Sequence, residues 1–237
     1  MSSRTGETDH RPRLLGDDAL EQSAVVANIA MNRVRGLAGV NSYERELGFD
    51  PYEWLADRAV RPVAWLDVCC GSGRALLEAE RRFADEMPDA QIAIVGVDLV
   101  DFFAAPPHPP RLELIAQSAA SYETDRVFDL VTCVHGLHYI GDKLDLISRL
   151  VSFLTPGGLF GADFDPESIL NPDGTSAARK VLRHLRESDI DYDRRRHRIT
   201  CTGPRTMSFP AAYHGADDLA GPGYTGQPSV CSYYQWS

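Results

Sequence analysis

Hydrophobic positions follow two different patterns along the chain. From Asp17, the apolar residues Leu20, Ala24, Ala27 and Met31 recur at helical spacing, which predicts an amphipathic helix. Gly36 and Gly39 interrupt it, and a second helical segment is expected from near Asn41. Within it, Asp50 supplies an N-cap, Pro51 the first helical residue and Glu53 the third, so a helix should restart at Pro51 and run to about Val60. From Arg61 onward, short apolar runs alternate with helical stretches. Strands are expected over 63–68, 91–98, 112–116, 127–134 and 158–164, and helices over 73–86, 142–153 and 175–187. The strand candidates are short apolar runs rather than strict alternations, as in strands covered by helices on both faces. Two further strands, 196–202 and 229–236, have no helix between them and are expected to pair antiparallel at one edge. Together these elements predict an α/β protein with a doubly wound, mostly parallel sheet.

This pattern divides the chain into a disordered tail over 1–15, an N-terminal helical cap over 16–60 and an α/β domain over 61–237. A stretch rich in Gly, Pro, Tyr and Asp, 203–228, is too long for a hairpin turn. It reads either as an inert surface loop or as a cover near an active-site mouth. The net charge of −10 counts against tight, non-specific binding to nucleic acid. The five cysteines (Cys69, Cys70, Cys133, Cys201, Cys231) are odd in number and form no CxxC pair, so neither a disulfide framework nor a zinc site is expected. The N-terminus is polar, with no apolar stretch of signal-peptide length, and no run approaches the length of a membrane span. A cytoplasmic protein with no membrane association is the expectation.

The chemistry concentrates where strands end. Trp65-Leu66-Asp67-Val68 leads into Cys69-Cys70-Gly71-Ser72-Gly73, and a helix opens at about Gly73. Glycines let such a turn approach a ligand closely, and helix N-terminal amides can meet its carboxylate. Dinucleotide sites use a related device. Two details favour S-adenosylmethionine over NAD. Asp67 closes the strand, where it can hold the loop amides or receive a ligand ammonium, and Leu76 stands where the third glycine of the dinucleotide fingerprint would fall. The second strand ends Val95-Gly96-Val97-Asp98-Leu99, placing a carboxylate for ribose hydroxyls and an apolar side chain for adenine. The alternative for Asp98 is a helix cap.

LDVCCGSG, beginning at Leu66, resembles the first motif of class I methyltransferases (LDxGxGxG), and VGVDL, beginning at Val95, resembles their acidic post-motif. The run from Phe128 to Ile140 resembles the fourth-strand motif, and LTPGGLF, beginning at Leu154, resembles the turn into the fifth strand. These motifs occur in order across about 60–165. The resemblance implies a Rossmann-like, seven-stranded sheet ending in an antiparallel edge, and S-adenosylmethionine as methyl donor. It implies that Asp67, Cys69, Gly71 and Gly73 line the methionine part, that Asp98 holds the ribose with Leu99 on adenine, that Gln117 or Ser118 meets the adenine edge, and that Cys133 lies beside the cofactor. Cys69 departs from the pattern, since a glycine usually stands there, and Gln117 and Ser118 replace a frequent aspartate. In similar small-molecule methyltransferases the N-terminal cap closes over the cofactor, which puts Tyr43 near the sulfonium and Arg45 near the carboxylate. Ordinary helix packing for Tyr43 and a solvated charge for Arg45 are the alternatives.

Methyl transfer from a sulfonium is an in-line displacement, so orientation carries much of it, and a base is needed only if the nucleophile must lose a proton. His135, just after the fourth strand, and His138 are the catalytic candidates, with Asp163, Asp165 and His214 behind them. His214 with Asp217 and Asp218 reads as turn chemistry, so no metal is expected. The basic run 194–198 reads as a solvated connection. The expected activity is methylation of an O, N or C centre on a small molecule, such as a natural product. The rivals are a scaffold that binds S-adenosylmethionine for another reaction or for sensing, and an RNA or protein methyltransferase. The sequence leaves open whether the chain is a monomer or a homodimer.

Overall fold

The computed structural model describes residues 13–27, 34–103 and 109–237. Five strands, β1 (Val63–Val68), β2 (Ile92–Asp98), β3 (Leu112–Ala116), β4 (Phe128–Cys133) and β5 (Leu154–Asp163), run parallel in the order β3-β2-β1-β4-β5. β7 (Asp191–Asp193) and β8 (Arg198–Thr202) complete the seven-stranded sheet, with β8 antiparallel to both β5 and β7. All six residues of β4 are buried, and five of six in β1, which explains why these strands read as unbroken apolar runs. Because β1 lies between β2 and β4, the chain leaves it in the opposite sense to its next parallel neighbour. The carboxyl ends of these two central strands therefore bound a crevice.

The principal helices pack through spaced apolar positions. In α5 (Arg74–Glu86) these are Ala75, Leu76, Ala79 and Phe83. In α6 (Lys143–Ser152) they include Leu144, Ile147, Leu150 and Val151, and in α7 (Ala178–Glu187) Ala178, Val181 and Leu185. α6 begins where Asp142 accepts a bond from the Asp145 amide, at 3.1 Å. The cap contains α1 (Asp17–Glu21), α2 (Ala24–Ala27), α3 (Tyr43–Leu47) and α4 (Pro51–Ala56). The single helix expected from Asp17 is therefore interrupted. Ser23 Oγ accepts from the Val26 amide at 3.4 Å and begins a second short turn, while Met31 lies outside the described residues. α4 is capped by Asp50 as expected but ends at Ala56 rather than Val60.

The C-terminal region differs from expectation. The 229–236 strand does not pair with the 196–202 strand. It forms β10 (Cys231–Trp236) in a separate three-stranded sheet, between β6 (Ile169–Leu170) and β9 (Ala211–Asp217). β9 comes from inside the stretch read as a loop. Its flanking Gly, Pro and Asp residues hide a seven-residue strand whose Tyr213 packs on Tyr234, with ring centroids 5.5 Å apart. The basic run forms the β7–β8 turn, in which Asp193 Oδ1 accepts from the amides of Arg195 and Arg196 at 2.9 and 3.2 Å. Leu15 forms an antiparallel bridge to Ala216, and Leu20 is buried with Ala216 and Val230. The N-terminal segment thus docks on the second sheet from Leu15 onward. Among the described residues, no helix is long and apolar enough to cross a membrane.

Two features of this packing have measurable consequences. Lys143 is 1% exposed, and its Nζ donates to Val230 O and Ser232 Oγ at 2.8 and 2.7 Å, fastening α6 to the second sheet. Burial pushes its pKa down to about 7, whereas an unfolded lysine titrates near ~10.4. Between those values the unfolded state binds more protons, so this residue makes stability rise with pH. The urea midpoint should increase from pH 7 to pH 9 relative to that of Lys143→Met, and the difference should level off below pH 7. The second feature is Cys69, which adopts φ 62° in a turn where a glycine would be unstrained. A left-handed non-glycine residue costs ~1–2 kcal/mol, part of which glycine returns through unfolded-chain entropy. Cys69→Gly should stabilise the protein by ~0.5–1 kcal/mol in denaturant titration, whereas Cys69→Ala, which keeps the Cβ, should not.

Candidate active site

The crevice at the carboxyl ends of β1, β2 and β4 opens into a cavity. Three left-handed residues alternate in the turn after β1: Cys69, Gly71 and Gly73, with φ 62°, 61° and 71°. Cys69 and Gly71 line the cavity. Gly73 is the N-cap of α5 at a left-handed φ that glycine adopts without strain, and a Cβ there would come within 3.0 Å of the Leu114 side chain. No side chain caps α5, which leaves its first amides to a ligand. A facing turn after β4 brings Gly136 so close that a Cβ there would lie 2.5 Å from Cys69 Cβ and 2.6 Å from Cys133 Sγ. Cys133 itself is fully buried beneath the turn and is not part of the cavity wall.

Asp98 and Leu99 stand on the wall at the end of β2. Asp98 Oδ2 accepts from the Gly71 amide at 2.8 Å and Oδ1 from the Val100 amide at 3.2 Å, so one carboxylate ties the two ligand-facing turns together. Gln117 and Ser118 are set back from the wall. Gln117 Nε2 donates to Ser121 O at 3.2 Å, and Ser118 Oγ donates to Glu21. Ala119 and Ala120 line the cavity in their place, and α1 closes it with Asp17, Leu20 and Glu21.

Asp67 neither holds the loop amides nor faces the cavity. It is fully buried, and its two oxygens accept from Tyr43 Oη at 2.6 Å and Thr132 Oγ1 at 2.5 Å. Thr132 in turn accepts from Trp65 Nε1 at 2.8 Å. Burial raises the Asp67 pKa to about 7 against the lowering effect of the two hydroxyls, and burial also pushes the Tyr43 phenol up. Tyr43 is accordingly absorbed in the core, edge-on to Trp65, and does not line the cavity. Arg45 is exposed and donates to Val40 O at 3.2 Å, also away from the cavity.

His135 lines the cavity with φ 58°, an uncommon conformation for a residue with a side chain. Its Nε2 lies 3.4 Å from Glu46 Oε2 and 3.8 Å from Asp163 Oδ2, and its backbone amide donates to that same Asp163 oxygen at 3.0 Å. Burial raises the Asp163 pKa to about 6. Glu46 is a partner that sequence reading passed over. The available signal is that it lies three residues after Tyr43 on the face of α3 that buries Tyr43 and Leu47. His138 is 4% exposed and lies off the wall, and burial drives its pKa down to about 3. It packs edge-on against Tyr224 at 5.2 Å, and Tyr224 stacks on His197 at 3.8 Å. The segment after β9 thus reaches the layer behind His135.

Comparisons with known proteins bear on this arrangement. A family model described as a methyltransferase domain matches residues 40–207. A curated relative, the trans-aconitate 2-methyltransferase of Methylobacterium radiotolerans, is 27% identical over 111 residues, which are 47% of this chain and 41% of that protein. The chain therefore aligns with less than half of the relative's length. Among solved structures, the plantazolicin methyltransferase BpumL with a monoazolic desmethylPZN analogue and SAH is 16% identical, with a TM-score of 0.39 over 49% of this chain and 44% of the other. CalS10, an amino pentose methyltransferase from Micromonospora echinaspora with SAM bound, is 22% identical, with a TM-score of 0.35 over 48% and 49%. The family model spans well over half of the sequence and both turns that form the cavity wall, and the chain belongs to the methyltransferase-domain family.

Proposed function

We propose that the protein transfers a methyl group from S-adenosylmethionine to an O, N or C centre of a small molecule, in keeping with a role in natural-product metabolism. The observation that carries this reading is the coincidence, within the family match, of the left-handed turn, the Asp98 carboxylate and an apolar-lined cavity between them. The donor set fits the cofactor. Asp98 suits two ribose hydroxyls, Leu99, Val100 and Ala119 offer an apolar slot for adenine, and the uncapped start of α5 suits a carboxylate. When bound, S-adenosylmethionine supplies an electrophilic methyl group on a sulfonium.

The chain's own contribution is placement. α1 shields the cavity from water, and the two turns fix the approach direction, which is where much of the acceleration of an in-line displacement arises. On the acceptor side, His135 with Glu46 and Asp163 holds the acceptor and eases the loss of its proton. The acidic chain supports a small-molecule acceptor over RNA.

Calorimetric titration of ligand-stripped protein should give saturable binding of both S-adenosylmethionine and S-adenosylhomocysteine and none of NAD. Asp98→Ala should weaken both by at least tenfold, ~1.4 kcal/mol. Failure of either sulfur nucleoside to bind at ~1 mM, where only ~4 kcal/mol of affinity is needed, would remove the reading. Once an acceptor is found, His135→Ala should lower kcat by ~10²–10⁴ while leaving the affinity for S-adenosylmethionine within about twofold. An unchanged kcat would place the acceptor elsewhere.

A further inference from the structure

We propose that Glu46, His135 and Asp163 form a binding site for a divalent first-row metal ion, Mn²⁺ or Zn²⁺, opening onto the cavity. Three elements distant in sequence deliver these donors: α3, the turn after β4 and the end of β5. The donor atoms, Nε2 of His135 and one oxygen from each carboxylate, lie within 4.8 Å of one another. The two separations from Nε2 are 3.4 and 3.8 Å. Ligands ~2.0–2.2 Å from a tetrahedral metal lie about 3.4 Å from each other, which both Nε2 separations approach, and the carboxylates would close onto the ion from within 4.8 Å.

The imidazole provides the independent observation. Its side chain is 10% exposed, and its buried Nε2 makes no well-aligned hydrogen bond among the described residues, although Glu46 Oε2 stands 3.4 Å away. Such an atom is costly to leave unsatisfied. The groups nearest to it are carboxylates, which in their ionised form can only accept. One imidazole nitrogen and two carboxylate oxygens converging on the same few ångströms form a donor set that a cation between them would satisfy.

The remaining contacts orient the cluster. The backbone N–H of His135 holds Asp163 Oδ2, and Arg35 Nη1 holds Glu46 Oε1 at 3.0 Å, leaving Glu46 Oε2 turned toward the imidazole. Metal-ligating side chains are commonly fixed by outer hydrogen bonds of this kind. His135 belongs to the cavity wall and the Glu46 side chain is 27% exposed, so an ion can enter from the cavity. One nitrogen and two oxygen donors suit Mn²⁺ or Zn²⁺ better than Ca²⁺ or a thiolate-seeking ion. Three protein ligands leave positions open to water or to an acceptor oxygen, whose acidity the ion would raise.

Metal binding can be read without any methyl-transfer assay, so its outcome is separate from that of the cofactor titration. Protein stripped with EDTA and desalted is titrated with Mn²⁺, followed by loss of the free-ion electron paramagnetic resonance signal, and with Zn²⁺ by calorimetry. One equivalent should bind. Glu46→Gln and His135→Asn should each weaken binding at least tenfold, and His214→Ala, an exposed residue on β9, should leave it unchanged. Circular dichroism establishes that the variants are folded, and Glu46→Gln, at a partly exposed position, carries the test if His135→Asn is not. No saturable uptake of either ion up to 1 mM would overturn the proposal, as would equal affinity in Glu46→Gln.

Discussion

Asp67 ends the central strand without any solvent-exposed surface, and two hydroxyls make its carboxylate tolerable there. An unpaired charge at such a position would cost several kcal/mol (on the order of ~3–5 when a partner is removed). Thr132 supplies one hydroxyl from the neighbouring strand β4, and Tyr43 supplies the other from the N-terminal cap. The second bond is what locates the rest of the site. By pinning Tyr43 into the core it fixes α3, and α3 carries Glu46 to the imidazole of His135. A residue expected to touch the cofactor thus works one layer further in, holding the platform on which the cavity is built.

Asp98 performs a related task at the surface of that platform. Its bonds to the Gly71 and Val100 amides join the turn after β1 to the segment after β2, so the cavity wall has a defined shape before any ligand arrives. The strained conformations lie beside it, at Cys69 and at His135. Their turns press against each other through Gly136, the small residue that permits the contact. Packing and ligand approach therefore compete for the same few ångströms, and this crowding accounts for a left-handed cysteine being held in place.

The parallel sheet was legible because buried central strands write themselves as apolar runs, and the ligand-facing turns because glycine and acidic residues stand at fixed offsets from those runs. Asp98, Leu99, Gly71, Cys69 and His135 reach the cavity wall on that signal alone. What was not legible depended on pairing across long separations. Nothing local to Asp67 indicates that Tyr43 and Thr132 will occupy both of its oxygens. Nothing local to Glu46 marks it as a neighbour of His135, because the face of α3 that it shares with Tyr43 and Leu47 is buried only by tertiary packing. β9 was hidden by the turn-forming residues around it, since its own alternation spans only seven residues. β10 then appeared to have just one available partner, and it was assigned to the wrong sheet.

The docking of α1 has a consequence for how the protein is made. This helix is made roughly two hundred residues before the residues that receive it, Ala216 and Val230. Translation proceeds at ~5–20 residues per second, so the segment waits ten seconds or more, on the order of the synthesis time, for its receptor sheet. The cavity therefore remains open on one side until Val230 has been made, and its enclosure marks the folding of the second sheet.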